Sequence, residues 1–207
     1  MSNTIIAISR EFGSGGRLIG EKLALELGMM FYDKSIIQMA AEKSGLSPSF
    51  IEQSEENIPN SFLFNLSASA YASFKPAILY DAPINDKTFF AQSSVLHDIA
   101  KKDSCVIVGR CADYVLRDEP GIVRIFVHAP VEQRIKRAIE TYGLEQDNAA
   151  AKLKKIDKSR ENYYKYYTGE RWGDPKNYDL IINTGFIGID ETVDMLKALL
   201  RKKKMAL

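Results

Sequence analysis

The sequence predicts an α/β chain, an open parallel sheet of about five strands with helices on both faces. Three observations carry that expectation. Short apolar, β-branched runs recur along the chain, and they lack the polar alternation of half-exposed strands. Helical patterns, with apolar residues three and four apart, separate those runs. A glycine-rich turn joins the first run to the first helix.

The elements follow in order. Thr4-Ile5-Ile6-Ala7-Ile8-Ser9 is the first buried strand, and Arg10-Glu11-Phe12-Gly13-Ser14-Gly15-Gly16 is the turn. Ile19, Leu23 and Leu27 mark a helix that Gly28 stops. Met29 to Tyr32 reads as a second strand, with Asp33 the expected N-cap of a helix carrying Ile36, Ile37 and Ala40. From Gly45 to about Lys87, four prolines interrupt a stretch still rich in Phe, Leu and Tyr. Such aromatic content predicts short helices rather than a linker. Val95, Leu96 and Ile99 mark another helix, and Cys105 to Val108 and Ile122 to Val127 two more strands. A helix from about Val131 is expected to turn Val131, Ile135 and Ala138 inward. Leu180-Ile181-Ile182 is the last strand, and Ile189, Val193, Leu196 and Leu200 mark the closing helix.

Composition narrows the function classes. The 207 residues are 45% hydrophobic and include only two cysteines, which excludes a disordered chain and a disulfide scaffold. Cys105 and Cys111 are expected to be free thiols in a reducing, cytoplasmic setting. No apolar run approaches the ~18 residues of a membrane span, and the N-terminus lacks a secretory pattern. With 28 Lys+Arg against 27 Asp+Glu the net charge is +1. That argues against a nucleic-acid surface or a membrane partner, yet allows a small anion pocket. Arg201 to Lys204 read as a solvated helix end.

The turn Gly13-Ser14-Gly15-Gly16 carries the chemistry. Glycines there let backbone N–H groups wrap an anion at a helix N-terminus, beyond the carboxyl ends of the strands. The same residues also suit a bare βα turn. The turn is not G-x-G-x-x-G, because Leu18 stands at the last position. It is not a Walker A loop either, because Gly16 replaces the lysine and no Ser or Thr follows. His97 and His128 have no Cys or His at ligand spacing, so no zinc site is expected.

The order of motifs resembles the cytidylate kinase-like branch of the P-loop nucleoside monophosphate kinases. The matching residues are Ile8 to Gly16, Phe31-Tyr32-Asp33, Val108-Gly109-Arg110-Cys111-Ala112-Asp113 and Phe126-Val127-His128-Ala129-Pro130. Arg134 and Arg137, Arg160 to Tyr167, and Tyr178 to Asn183 follow in the same order. The resemblance implies a three-layer αβα P-loop NTPase fold in a single domain over 1–207. An acceptor-binding insert falls at about 33–87 and a lid at about 141–172. It further implies ATP-dependent phosphoryl transfer to a nucleoside monophosphate, most simply CMP or dCMP, with Mg²⁺ inferred from ATP. Gly13, Ser14, Gly15, Gly16 and Arg17 would hold the donor, and Asp33, Arg110 and Asp113 the acceptor.

Arg17, Arg134, Arg137 and Arg160 would meet the phosphates. Arg134 and Arg137, spaced i,i+3, are expected on the polar face of their helix. Lys152, Lys154, Lys155, Lys158 and Lys165 read as solvated, and the tyrosines from Tyr163 to Tyr167 as packing between lid and body. Trp172 reads as a loop anchor. With the P-loop lysine missing, Arg17 is the first candidate to replace it and Arg10 the second. Two other readings remain open at this level: a kinase of another small molecule, or a nucleotide-binding regulatory domain with little catalysis. Oligomeric state is not legible.

Overall fold

The first apolar run becomes the centre of the sheet. In the computed structural model, which describes residues 3–56 and 84–205, β1 (Ile5–Arg10) lies between β3 (Cys105–Val108) and β4 (Ile122–His128). The edges are β2 (Met30–Tyr32) and β5 (Leu180–Asn183), giving the order β2-β3-β1-β4-β5 with every pairing parallel. Register aligns Ile8 with Val108 on one side and with Ile125 on the other. The chain lays β2 and β3 on one side of β1, and β4 and β5 on the other. The crevice beyond the carboxyl end of β1 is therefore the switch point, where open α/β sheets bind ligands.

Burial on both faces explains the unbroken apolar runs. Ile5, Ile6, Ala7 and Ile8 are all fully buried, and each large side chain contributes about 1.5–3 kcal/mol by leaving water. One face packs Ile5, Ala7 and Ile107 against α2 (Ser35–Ser44), α3 (Pro48–Glu56), α4 (Ile84–Lys102) and α5 (Ala112–Val115). The other packs Ile6, Ile8 and Val106 against α1 (Gly16–Leu27) and α9 (Ile189–Met205), through Ile19, Leu23, Val193 and Leu196. Gly28 ends α1 in the left-handed conformation (φ 63°), its N–H bonding back to Leu25.

Three local expectations are corrected. Asp33 does not cap α2: Lys34 holds the N-cap position, and the Asp33 carboxylate is engaged by Arg17. On α6 (Val131–Tyr142) the inward face is Arg134 and Ala138, while Val131 is exposed. A cation displaced the apolar residue because its acceptors lie inside, as shown below. Of the stretch 45–87, residues 45–47 form the turn after α2, and α3 and the first turn of α4 are helical; residues 57–83 of it lie outside the described residues.

α7 (Gln146–Thr168) falls inside the segment expected to be a lid. Its Tyr163, Tyr164 and Tyr167 are buried against the body, with Tyr167 stacked on Phe89 at 4.2 Å. Its lysines at 152, 154, 155, 158 and 165 face solvent. Trp172 packs edge-on against Phe126, and His97 pairs with Glu119 at 2.9 Å. The strand β5 is followed by the short α8 (Thr184–Ile187). Both cysteines are buried free thiols. Among the described residues no helix is long and apolar enough to cross a membrane.

Candidate active site

The chain leaves β1 at Arg10 and enters α1 at Gly16, so residues 11–15 form the turn at the switch point. Gly13 sits at φ 75°, and a Cβ there would lie 2.5 Å from the backbone oxygen of Arg134. Only glycine satisfies both demands. The Ser14 hydroxyl donates to the Glu11 carbonyl at 2.8 Å, and Thr184 Oγ1 donates to the Ser14 carbonyl at 2.6 Å. Ser14 is fully buried. Its hydroxyl and its backbone both serve the loop, the N–H donating to the Glu11 carbonyl at 3.3 Å.

Arg134 is placed differently from its expected position on the polar face of the helix. Its guanidinium is buried and meets three acceptors: Nε donates to the Phe12 carbonyl at 2.9 Å, Nη1 pairs with Glu11 at 3.0 Å, and Nη2 pairs with Asp157. Asp157, on α7, also accepts from the Phe12 N–H at 2.7 Å. A buried arginine must be satisfied in this way, since desolvating an unpaired charge is costly. Arg134 thus straps the loop to α6 and α7. Arg137, one turn on, donates to the Gly13 carbonyl at 2.6 Å and stays at the loop.

A second group of cations lies toward Asp33 and the end of β3. Arg17 donates from Nε to Asp33 at 2.9 Å and lies 3.8 Å from Glu21, so Asp33 and Glu21 engage the residue expected to replace the lysine. Asp33 itself is buried. Gly109 and Arg110 follow β3, and Arg110 and Cys111 both adopt left-handed backbone conformations (φ 60° and 51°). For non-glycine residues that is a strained state, costing about 1–3 kcal/mol each, and such strain concentrates at functional sites. Arg160, on α7, donates to the Arg10 carbonyl at 3.1 Å. Burial, then the neighbouring Arg10 and Arg110 charges, push Arg160 down to about 9, still cationic at neutral pH. Arg160 thus holds the backbone of Arg10, whose guanidinium lies against Gly109, the residue before Arg110.

Asp113 is the expected acceptor contact that the fold keeps apart. It is buried on α5, where it accepts from the Ser9 hydroxyl at 3.4 Å beside Tyr164. Burial pushes it up to about 6. The folded chain holds that proton between about pH 4 and pH 6, so stability falls as pH rises through this window. Asp113→Asn cannot ionise and is expected to lack the loss. In urea unfolding from pH 4 to pH 7, the variant should gain on the wild type by up to about 3 kcal/mol. An unchanged gap across that range would contradict the assignment.

The structure thus brings Gly13, Gly15, Gly16, Arg137, Arg160, Arg110, Arg17 and Asp33 to one crevice, and leaves Asp113 beneath it. Sequence reading did not find Glu11 and Asp157 as partners of Arg134. The one available signal was an acid, Asp157, standing in a run of lysines one turn before Arg160.

The side chains present do not build a cage for a divalent cation. Among the described residues no three His, Cys, Asp or Glu groups lie together. Arg17 occupies the position after the loop where a metal-binding hydroxyl would stand, and Asp33 is engaged by that arginine.

The geometry can be set beside known proteins. A structure of an uncharacterized protein from Eubacterium ventriosum superposes with a TM-score of 0.69 at 26% identity, covering 96% of this chain and 99% of that one. A gluconokinase from Sinorhizobium meliloti shares the fold, with a TM-score of 0.56 at 14% identity over 99% and 97% of the two chains. The cytidylate kinase of Thermococcus kodakarensis is 31% identical over 101 residues, 49% of this chain and 51% of that enzyme. The match thus spans about half the length of that relative. The family model described as "Cytidylate kinase-like family" matches residues 5–185, and the chain belongs to that family of P-loop kinases.

Proposed function

We propose that the protein transfers the terminal phosphoryl group of ATP to a nucleoside monophosphate, CMP or dCMP. The observation that carries this reading is the gathering of Arg10, Arg110 and Arg160 at the carboxyl edge of the sheet, next to a glycine loop: Arg160 donates to the Arg10 carbonyl at 3.1 Å, and the Arg10 guanidinium lies against Gly109, which precedes Arg110. Two anionic substrates that react with one another require such an arrangement, because their mutual repulsion must be offset before they can meet. Family membership supports the reaction class, and the curated cytidylate kinases among its relatives support the acceptor.

The residues divide the work. Backbone N–H groups of Gly13, Gly15 and Gly16, at the N-terminus of α1, hold the donor phosphates, and Ser14 fixes the turn between them through its bonds to Glu11. Arg137 lines the same loop, and Arg134 positions it. Arg110 grips the acceptor phosphate, Arg160 reaches in from α7, and the Arg17–Asp33 pair orients the acceptor at its flank. An oxygen of the acceptor phosphate forms the new bond to phosphorus as the bond to the bridging oxygen of ADP breaks. That oxygen is already ionised at neutral pH, the second pKa of a phosphate monoester being about 6. No general base and no covalent enzyme intermediate are needed.

A thermal-shift series followed by an ADP-release assay tests the reading. ATP and CMP, or ATP and dCMP, should each stabilise the protein, and mixing them should release ADP. Release with gluconate or another non-nucleotide acceptor alone would replace the acceptor class. Stabilisation by ATP without turnover on any acceptor would favour a regulatory nucleotide-binding domain.

A further inference from the structure

A common phosphate-binding loop, G-x-x-x-x-G-K-[ST], has glycine at its first position and lysine at its seventh. Here the first position is Arg10 and the seventh is Gly16. The cation and the glycine have exchanged places, and the coordinates show what the exchange does in space. A Cβ on Gly16 would lie 2.6 Å from Arg10 Cβ and 3.1 Å from its Cγ. The Arg10 stem therefore runs across the seventh position, over ground that any side chain there would fill. A Cβ on Gly109 would fall on Arg10 Nη1 and lie 3.0 Å from Cζ and 3.2 Å from Nη2. The guanidinium lies against that glycine, at the carboxyl end of β3 and immediately before Arg110. Two glycines thus make a track for one arginine, from the donor loop to the acceptor edge.

We propose that Arg10 is the catalytic cation that replaces the missing lysine, its planar fork bridging the transferred phosphoryl group and the acceptor phosphate. The inference rests on the kinase reading above and deepens it. An ammonium in the usual place is a point charge on the donor, whereas a guanidinium offers donors in two directions and can bind both phosphates at once. As the bond from the acceptor oxygen to phosphorus forms and the bridging bond to ADP breaks, charge spreads over the equatorial oxygens of the moving group. The fork lies between donor loop and acceptor edge, where that charge develops, and no proton has to move. Arg17, at the eighth position and paired with Asp33 and Glu21, keeps the flank of the site.

The test uses the full chain and four variants: Arg10→Gln, Arg10→Lys, Gly16→Ala and the double Arg10→Gln/Gly16→Ala. Turnover with ATP and CMP is measured as kcat and KM, and tripolyphosphate stabilisation is measured by thermal shift without any acceptor. Arg10→Gln should lower kcat by about 10²–10³-fold and weaken the tripolyphosphate shift. Gly16→Ala removes no charge, yet by displacing the Arg10 stem it should lower kcat at least about tenfold. In the double variant no guanidinium is left to displace, so its loss should fall short of the product of the two single losses, although the new Cβ also meets Val127 Cβ at 3.2 Å. A wild-type kcat in Arg10→Gln, or losses that multiply in the double variant, would overturn the proposal. If the wild type phosphorylates no nucleoside monophosphate, the acceptor reading fails by itself. The tripolyphosphate shift then still decides for Arg10 if Arg10→Gln loses it, and against Arg10 if it does not. Should Arg10→Gln fail to fold by circular dichroism, Arg10→Lys with Gly16→Ala carries the comparison, with reduced kcat expected in both and wild-type kcat in both overturning the inference.

Discussion

Replacing Arg134 with alanine is expected to destabilise the folded chain by about 3–5 kcal/mol. The size follows from what is left behind. Without the guanidinium, Glu11 and Asp157 face each other with no cation between them, and the Phe12 carbonyl loses its donor. A domain of this size has a total stability of only about 5–15 kcal/mol, so the urea midpoint should fall by about a fifth or more. Arg134→Lys should recover little, because one ammonium on a flexible stem cannot meet three acceptors held in a fixed fork. A midpoint within experimental error of wild type would show that the network contributes nothing to folding.

Replacing Arg160 with methionine should do the opposite to stability and more to activity. Arg160 is pressed between the Arg10 and Arg110 charges, with Asp157 as its nearer compensation. Removing the charge relieves that repulsion, so the empty protein is expected to melt at a higher temperature than wild type. Turnover should fall by about 10²–10³-fold, the usual loss when one preorganised donor to a developing negative charge is removed. The two arginines belong to adjacent helices, and both touch the backbone of the same loop. One is matched by carboxylates and holds the fold; the other stands beside cations, and its proposed partner is an anion. If Arg160→Met both destabilises the chain and leaves kcat intact, that division is wrong.

Most of the architecture was legible because it rests on local pattern. The runs Ile5 to Ile8 and Cys105 to Val108 have no polar alternation, and strands buried on both faces need none. Gly28 followed Leu27 where a helix must turn left-handed to stop. What stayed hidden depends on partners distant along the chain. Arg134 looked like a surface residue because its helix position was judged from Val131 and Ile135. Its acceptors, Glu11 and Asp157, stand far away on either side of it in the sequence. Arg17 looked like the lysine substitute because it follows Gly16 directly, and only the fold brings Asp33 within 2.9 Å of it. Asp113 stands three residues after Arg110 rather than beside it, and two successive left-handed residues, Arg110 and Cys111, turn the chain and send the carboxylate under the tyrosines. Local spacing shows which residues are available; the turn geometry decides which of them face the crevice.

The glycine loop has a consequence for affinity. Its backbone is gripped from outside at almost every residue: Arg160 on the Arg10 carbonyl, Asp157 and Arg134 on Phe12, Arg137 on the Gly13 carbonyl and Thr184 on the Ser14 carbonyl. Fixing one residue of free backbone costs about 1–2 kcal/mol, and in this chain that ordering is completed during folding. If the loop holds phosphates as proposed, the incoming anion has no backbone to order, and its attraction goes into holding rather than into moulding the loop.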